Sequence, residues 1–320
     1  MHVNKPDFYS QLTPEMQKVA DYIRQWNADH PPTEDYLQDY KDERKFWNEG
    51  GPIPAKVVEE TVPGPNGPIP VRLHYPVVSD KPLGVTVYLH GGSFMLGNND
   101  THSRVMRIFA QESNTVVIGV DYRLAPAFKF PSWVDETVAV IRHFRQHGAA
   151  YGLDPEDMAV CGDSAGAFMT LSAFLYLRNH GEDISYIRSL ILYYGAYGMM
   201  DSPSYRRWGN DVDGMMREEQ PLLYRPAVMT EQDAKDPYFD MFSNDLTHDI
   251  PPSFICCGTI DPLVDNSTLL YEILQDKGQP CELKLYPGVM HSFLHYSRMM
   301  EDSWDALRRG GQFVRDHKKP

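Results

Sequence analysis

Cysteine is scarce in this 320-residue chain, with four in all: Cys161, Cys256, Cys257 and Cys281. All four fall in apolar segments that read as strands, and none shows the paired spacing of a zinc site. Buried free thiols are therefore expected rather than disulfides or metal ligands, and no metal or other cofactor is implied. Long apolar runs are missing too. Nothing approaches the roughly 18 to 20 apolar residues that span a bilayer, and the opening Met1-His2-Val3-Asn4-Lys5-Pro6-Asp7-Phe8 lacks the apolar centre of a secretion signal. These absences predict a cytoplasmic protein with no membrane partner. Positive charge is short as well: 30 Lys and Arg face 44 Asp and Glu, for a net charge of -14. An acidic surface repels nucleic acid and anionic lipid, so neither is expected as a partner. No internal repeat or low-complexity tract interrupts the chain.

The 42% hydrophobic content is enough for a full core, and at this length one α/β domain with an added lid fits better than two independent domains. Val57 to Val62 and Ile69 to Tyr75 read as antiparallel opening strands joined by the turn-rich Pro63-Gly64-Pro65-Asn66-Gly67. Apolar runs near Val85 to Leu89, Thr115 to Asp121, Met158 to Cys161, Leu190 to Tyr194, Phe254 to Cys257 and Leu283 to Tyr286 then alternate with helical stretches. That alternation predicts a mostly parallel central sheet with helices on both faces. Two segments stand outside it. Residues 1–50 hold two helices, one capped by Thr13 with Pro14 at its first turn and an apolar stripe of Met16, Val19, Ala20, Ile23 and Trp26, the other from Thr33 to Asn48. Residues 199–242 form an insertion without a clear strand. The insertion follows a core strand and is expected to cover the carboxyl ends of the strands, leaving 51–320 as the main domain, and Met215, Met216, Tyr224 and Tyr238 are offered as lining a pocket, or simply as packing.

Gly162-Asp163-Ser164-Ala165-Gly166 follows the apolar Met158-Ala159-Val160-Cys161 and precedes the helical Ala167 to Arg178. A serine on a sharp strand-to-helix turn between two glycines reads as a nucleophile, Ser164, because the turn pushes its hydroxyl out at the end of a sheet. Upstream, the strand ending at Leu89 runs into His90-Gly91-Gly92-Ser93-Phe94. Open backbone there, at His90, Gly91 and Gly92 together with the Ala165 amide, would stabilise negative charge on a carbonyl oxygen under attack. A serine hydroxyl needs a base and a group to orient it. Asp261 follows the strand ending near Cys257, and His291 follows the last strand through Pro287-Gly288, so all three lie at carboxyl ends, where open α/β sheets bind ligands. Asp265 and His295 are the nearest rivals. The first reads as an acid in a helical first turn, the second as a packing residue one turn beyond His291. Arg123 reads as a scaffold partner for a carboxylate, and Asp163 as a structural hydrogen-bonding group.

Taken together, HGGSF, YRLAP, GDSAG, DPL and HSF resemble the hormone-sensitive-lipase-like family of α/β-hydrolases over most of the chain. Phe46-Trp47-Asn48, Phe242 to Thr247 and His295 to Met300 look most similar to its bacterial acetyl esterases. The resemblance implies an α/β-hydrolase fold with a helical cap of which the N-terminal helices of residues 1–50 form part, and hydrolysis of short-chain carboxylic esters by Ser164, His291 and Asp261, with His90 to Gly92 as the oxyanion motif. By analogy it leaves a homodimer open. Two positions depart from the family pattern: Ser93 stands for the third glycine of HGGG, and Ala127 for the glutamate that often follows YRLAP. Neither removes a reacting group. The family fold also supports silent proteins that hold a small ligand, or a second role beside esterase activity.

Overall fold

The computed structural model describes residues 7–199, 201–212 and 227–319. Eight strands form one sheet in the order β1-β2-β4-β3-β5-β6-β7-β8. The strands are β1 (Lys56–Val62), β2 (Ile69–Tyr75), β3 (Leu83–Leu89), β4 (Val116–Val120), β5 (Leu153–Asp163), β6 (Ile187–Tyr193), β7 (Ser253–Ile260) and β8 (Cys281–Met290). β1 and β2 pair antiparallel, β2 joins β4 antiparallel, and every other pairing is parallel. Strand residues alternate between two cores, as a period of two requires. Val85, Val87 and Leu89 of β3 join one core while Tyr88 joins the other, and on β5 Met158 and Val160 oppose Ala159 and Cys161.

The first core is covered by α4 (Ser132–His147), α5 (Ala165–Asn179) and α7 (Val264–Asp276), the second by α3 (Ser103–Ser113) and α8 (Glu301–Asp316). α5 runs behind the strands with almost every residue buried. A fully buried Leu or Phe such as Leu171 or Phe174 contributes about 1.5–3 kcal/mol through apolar area removed from water.

The N-terminal helices are α1 (Pro14–Asp29) and α2 (Tyr36–Asn48). The Thr13 hydroxyl accepts from Met16 N at 3.2 Å, and Met16, Val19, Ala20 and Ile23 are buried while Trp26 stacks on His30. α2 begins three residues later than the sequence suggests, because the amide and hydroxyl of Thr33 are drawn to the Asp39 carboxylate and Asp35 caps the helix through Gln38 N. α2 is tied to loops at the strands' carboxyl ends, while α1 is tied to the last helix, where Glu15 accepts from Glu301 N at 3.0 Å. Asn48 donates to Thr101 O and accepts from Arg104 N, and Arg298 donates to Phe46 O. β8 also outruns its expected end at Tyr286: it continues through Pro287-Gly288 to pair Met290 with Ile260 after a register shift. An edge strand tolerates a proline because one row of its amides faces no partner.

In the insertion, α6 (Pro203–Val212) brings Trp208 into the second core, while Val228, Met229, Phe239 and Met241 join the first. Met215, Met216 and Tyr224 lie outside the described residues. Tyr238 packs on Tyr176 and His180, with ring centroids at 5.5 and 6.2 Å. Tyr176 lies twelve residues along α5 from Ser164, about 18 Å at 1.5 Å per residue. Tyr238 therefore packs against the far end of that helix and lines no pocket at Ser164. Among the described residues no helix is long and apolar enough to cross a membrane. The four cysteines are free, with Cys161, Cys256 and Cys257 buried.

Candidate active site

Ser164 sits between β5 and α5 with φ 54° and ψ -116°. A non-glycine residue held there costs about 1–3 kcal/mol, which the surroundings must offset. Two backbone bonds hold it, Ser164 N to Tyr193 O at 2.9 Å and Phe168 N to Ser164 O at 3.1 Å. The flanking glycines are required by proximity rather than by dihedral freedom. A Cβ on Gly162 would lie 2.3 Å from the Gly166 carbonyl carbon, and one on Gly166 would lie 1.8 Å from Leu89 O. The turn can be this sharp only because strand and helix backbones nearly touch.

Asp261 follows β7 and is fully buried, with Oδ1 accepting from Leu263 N at 2.7 Å. Its Oδ2 lies 2.8 Å from His291 Nδ1. A carboxylate only accepts, so Nδ1 carries the ring proton and Nε2 presents a lone pair. That lone pair faces Ser164 Oγ at 3.0 Å. The Tyr194 ring meets the His291 ring edge-on at 4.9 Å and limits its tilt. The three expected residues thus come together from three separate strand ends, and the chain is able at this point to draw a proton from the serine as it attacks. The rivals go elsewhere. Asp265 accepts from Ser204 N at 2.7 Å, and His295 is buried against His102 with ring centroids at 4.4 Å.

The loop after β3 corrects one sequence expectation. The Gly91 amide is not turned toward Ser164: it donates to Asp163 Oδ1 at 3.0 Å. His90 is buried beneath the loop, with its ring stacked on Tyr122 at 4.2 Å and its Nδ1 donating to Gly91 O at 2.8 Å. His90 and Gly91 are therefore supports of the loop rather than oxyanion donors. The amides of Gly92, Ser93 and Ala165 have no backbone acceptor among the described residues. Left-handed φ values at Gly92 (119°), Ser93 (58°) and Phe94 (61°) turn the chain here, and Phe94 anchors it by stacking on Trp133 at 4.1 Å. The sequence reading missed the Ser93 amide because it weighed the side chain at that position and not the backbone.

Asp163 is the hub of this support. It is 1% exposed, and its Oδ1 accepts from Tyr88 Oη at 2.8 Å as well as from Gly91. Its Oδ2 faces Tyr194 Oη at 3.4 Å and His102 Nε2 at 3.7 Å. Burial pushes the carboxyl up, but His102, the Tyr88 hydroxyl and the Gly91 amide outweigh it and hold the group below its ordinary value, so it is ionised. Arg123 has the scaffold role read from sequence. Its guanidinium and amide both bind Glu136, which is fully buried. A cavity of about 500 Å³ lies between α2 and the 98–101 turn, but neither Ser164 nor His291 lines it.

Comparison with known proteins shows the family of the fold. Residues 86–295 match a family model described as the alpha/beta hydrolase fold. The chain is 41% identical over 316 residues to the acetyl esterase of Salmonella schwarzengrund, covering 97% of this chain and 96% of the relative. The acetyl esterase of Salmonella agona matches to the same extent. Among solved structures, the hyperthermophilic esterase of Pyrobaculum calidifontis aligns with a TM-score of 0.87 at 27% identity, over 95% of this chain and 98% of that one. An ester hydrolase from the metagenome of Lake Arreo aligns at 0.88 and 26% identity, over 96% and 99%.

Proposed function

Since the chain belongs to the family of the alpha/beta hydrolase fold, we propose that it is a serine carboxylesterase for acetyl and other short-chain esters, working through Ser164, His291 and Asp261. The observation that carries this is the continuous hydrogen-bonded line from Ser164 Oγ through the His291 ring to Asp261, at 3.0 and 2.8 Å.

Ser164 Oγ attacks the ester carbonyl carbon while His291 Nε2 takes its proton. Asp261 holds the ring in the Nδ1–H form and stabilises the imidazolium that results. The amides of Gly92, Ser93 and Ala165 receive the oxyanion, and removing one such donor typically lowers kcat about 10²- to 10³-fold. His291 then returns the proton to the alcohol as it leaves. Water activated by the same nitrogen hydrolyses the acyl-enzyme, and Ser164 is regenerated.

In this reading α1, α2 and the described residues of the 199–242 insertion form a cap over the strand ends. A cap limits acyl length, and the acetyl esterase names of the relatives agree with a preference for short chains. Free buried thiols suit a reducing compartment, which supports a cytoplasmic setting. The test is hydrolysis of nitrophenyl acetate by the wild type and by Ser164→Ala, with a chain-length series alongside. Turnover should vanish in the folded variant, and normal turnover there would overturn the assignment. A rate maximum at long acyl chains would overturn the substrate class alone.

A further inference from the structure

Cysteine spacing excluded a metal site, but folding assembles a histidine-rich group that no spacing reveals. His102 precedes α3, Asp163 ends β5 and His295 lies in the turn after His291. One ligand atom from each lies within 4.8 Å of the other two, and all three residues are buried. His90 adjoins them, its ring 5.3 Å from that of His102.

Hydrogen bonds around the group decide where its protons sit. Gly91 O only accepts, so the proton of His90 is on Nδ1 and its Nε2 is a bare lone pair. The Thr101 hydroxyl donates to Asn98 O at 2.9 Å, so at 3.0 Å it accepts from His102 Nδ1, which leaves Nε2 as the His102 atom turned to Asp163. Both Nε2 atoms are buried without a hydrogen-bond partner among the described residues. His102 Nε2 faces the ionised Asp163 Oδ2 at 3.7 Å. A buried carboxylate needs a positive charge beside it, and a metal ion held by these three side chains would supply it in place of a proton on His102 Nε2, which binding would release.

We propose that His102, Asp163 and His295 bind one transition-metal ion of the Zn²⁺ type, and that binding inhibits the esterase by drawing Asp163 away from the Gly91 loop. Two imidazoles and one carboxylate favour zinc, cobalt, nickel or copper over magnesium or calcium. Zinc with bonds of about 2.0–2.1 Å sets tetrahedral ligands roughly 3.4 Å apart, so the His102–Asp163 pair is nearly in place and the widest separations must close by about 1.4 Å. Burial and the nearby Arg44 charge hold the His295 pKa well down, in the neutral form a ligand needs. The same Arg44 charge opposes a cation, so the metal is removable by chelators rather than structural. The 500 Å³ cavity gives it an approach, since Arg44 and Thr101 are among its lining residues. The inhibition rests on the esterase reading, whereas the binding does not.

The test uses the full chain, stripped by chelator and with Ser164 blocked by a fluorophosphonate, loaded with Co²⁺ alone. Wild type should retain one equivalent of cobalt after desalting, with the intense visible absorption of a tetrahedral site. His102→Gln and His295→Leu, each checked by melting, should bind at least tenfold more weakly, and in unblocked protein should need at least tenfold more Zn²⁺ for half-inhibition. No retained cobalt, an octahedral spectrum or unchanged affinity in both variants would overturn the proposal. If neither variant folds, the wild-type spectrum decides. Cobalt binding by a protein without esterase activity would sink the functional reading and leave the metal site standing, and active protein that binds no cobalt would do the reverse.

Discussion

Asp163→Ala should leave the substrate bound and the chemistry crippled. In the native site, one carboxylate oxygen takes the Gly91 amide at 3.0 Å and the Tyr88 hydroxyl at 2.8 Å. Truncation leaves both donors buried and unpaired, at about 1–3 kcal/mol each. The loop escapes that cost by turning the Gly91 amide elsewhere, and the peptides of Gly92 and Ser93 turn with it. One misplaced oxyanion donor is worth about 10²- to 10³-fold in kcat, and more is lost if both move. KM should change little, because the oxyanion exists only after attack. Asp163→Asn separates geometry from charge. Its amide oxygen can keep the bonds from Gly91 and Tyr88, so it should recover at least tenfold of the loss. The assay is steady-state hydrolysis of nitrophenyl acetate, normalised to fluorophosphonate-titrated sites so that misfolded protein is not counted. A near-native kcat for the alanine variant would refute the reasoning, as would a loss confined to KM. An asparagine variant as impaired as alanine would show that the charge, not the hydrogen bond to Gly91, is what matters.

Acid should destabilise the fold well above the carboxylate range. Burial lowers His74 from its ordinary 6.5 to about 4 and His90 to about 3, and burial together with the Arg44 charge holds His295 well below that ordinary value. Below pH 6.5 the unfolded chain therefore binds protons that the folded chain refuses, and stability falls as pH falls. His74 and His90 each remove about 2 kcal/mol by pH 5, or about 4 together, with His295 acting in the same direction, and unfolding free energies flat from pH 7 to 5 in denaturant titrations would contradict this. Gly166→Ala should fail to give folded protein, since its Cβ would sit 1.8 Å from Leu89 O between strand and helix backbones. Soluble protein with a native melting midpoint would show that the elbow relaxes more readily than its packing implies. Glu136→Gln weakens the tie to Arg123 and should lower stability by about 1–3 kcal/mol with kcat intact, so a selective loss of kcat would assign that pair to the site.

The parallel sheet was legible in the chain because each buried strand is a short apolar run followed by a helical stretch, and alternation needs no long-range information. The serine, acid and histidine were legible for a related reason: each sits just past such a run, and in a parallel sheet all those positions share one edge. Thr13 and Pro14 announced α1 through capping, which is local. What depended on distant partners stayed hidden. β8 ran past Pro287 because β7 offered Ile260 across a bulge, and α2 started late because Asp39 captured Thr33. The direction of the Gly91 amide was decided by an aspartate 72 residues away. Tyr238 was open to a pocket or a packing role until the fold set its ring against Tyr176 and His180 on α5. The convergence of His90, His102 and His295 on Asp163 had no signature in spacing, because four chain segments meet there only when the sheet closes over α3. The sequence by itself determined the elements and the reacting groups, which are local matters of period, turn and residue chemistry. The tertiary structure decided which backbone amides face the substrate and which buried groups face one another, because those depend on contacts between segments that the chain order keeps far apart.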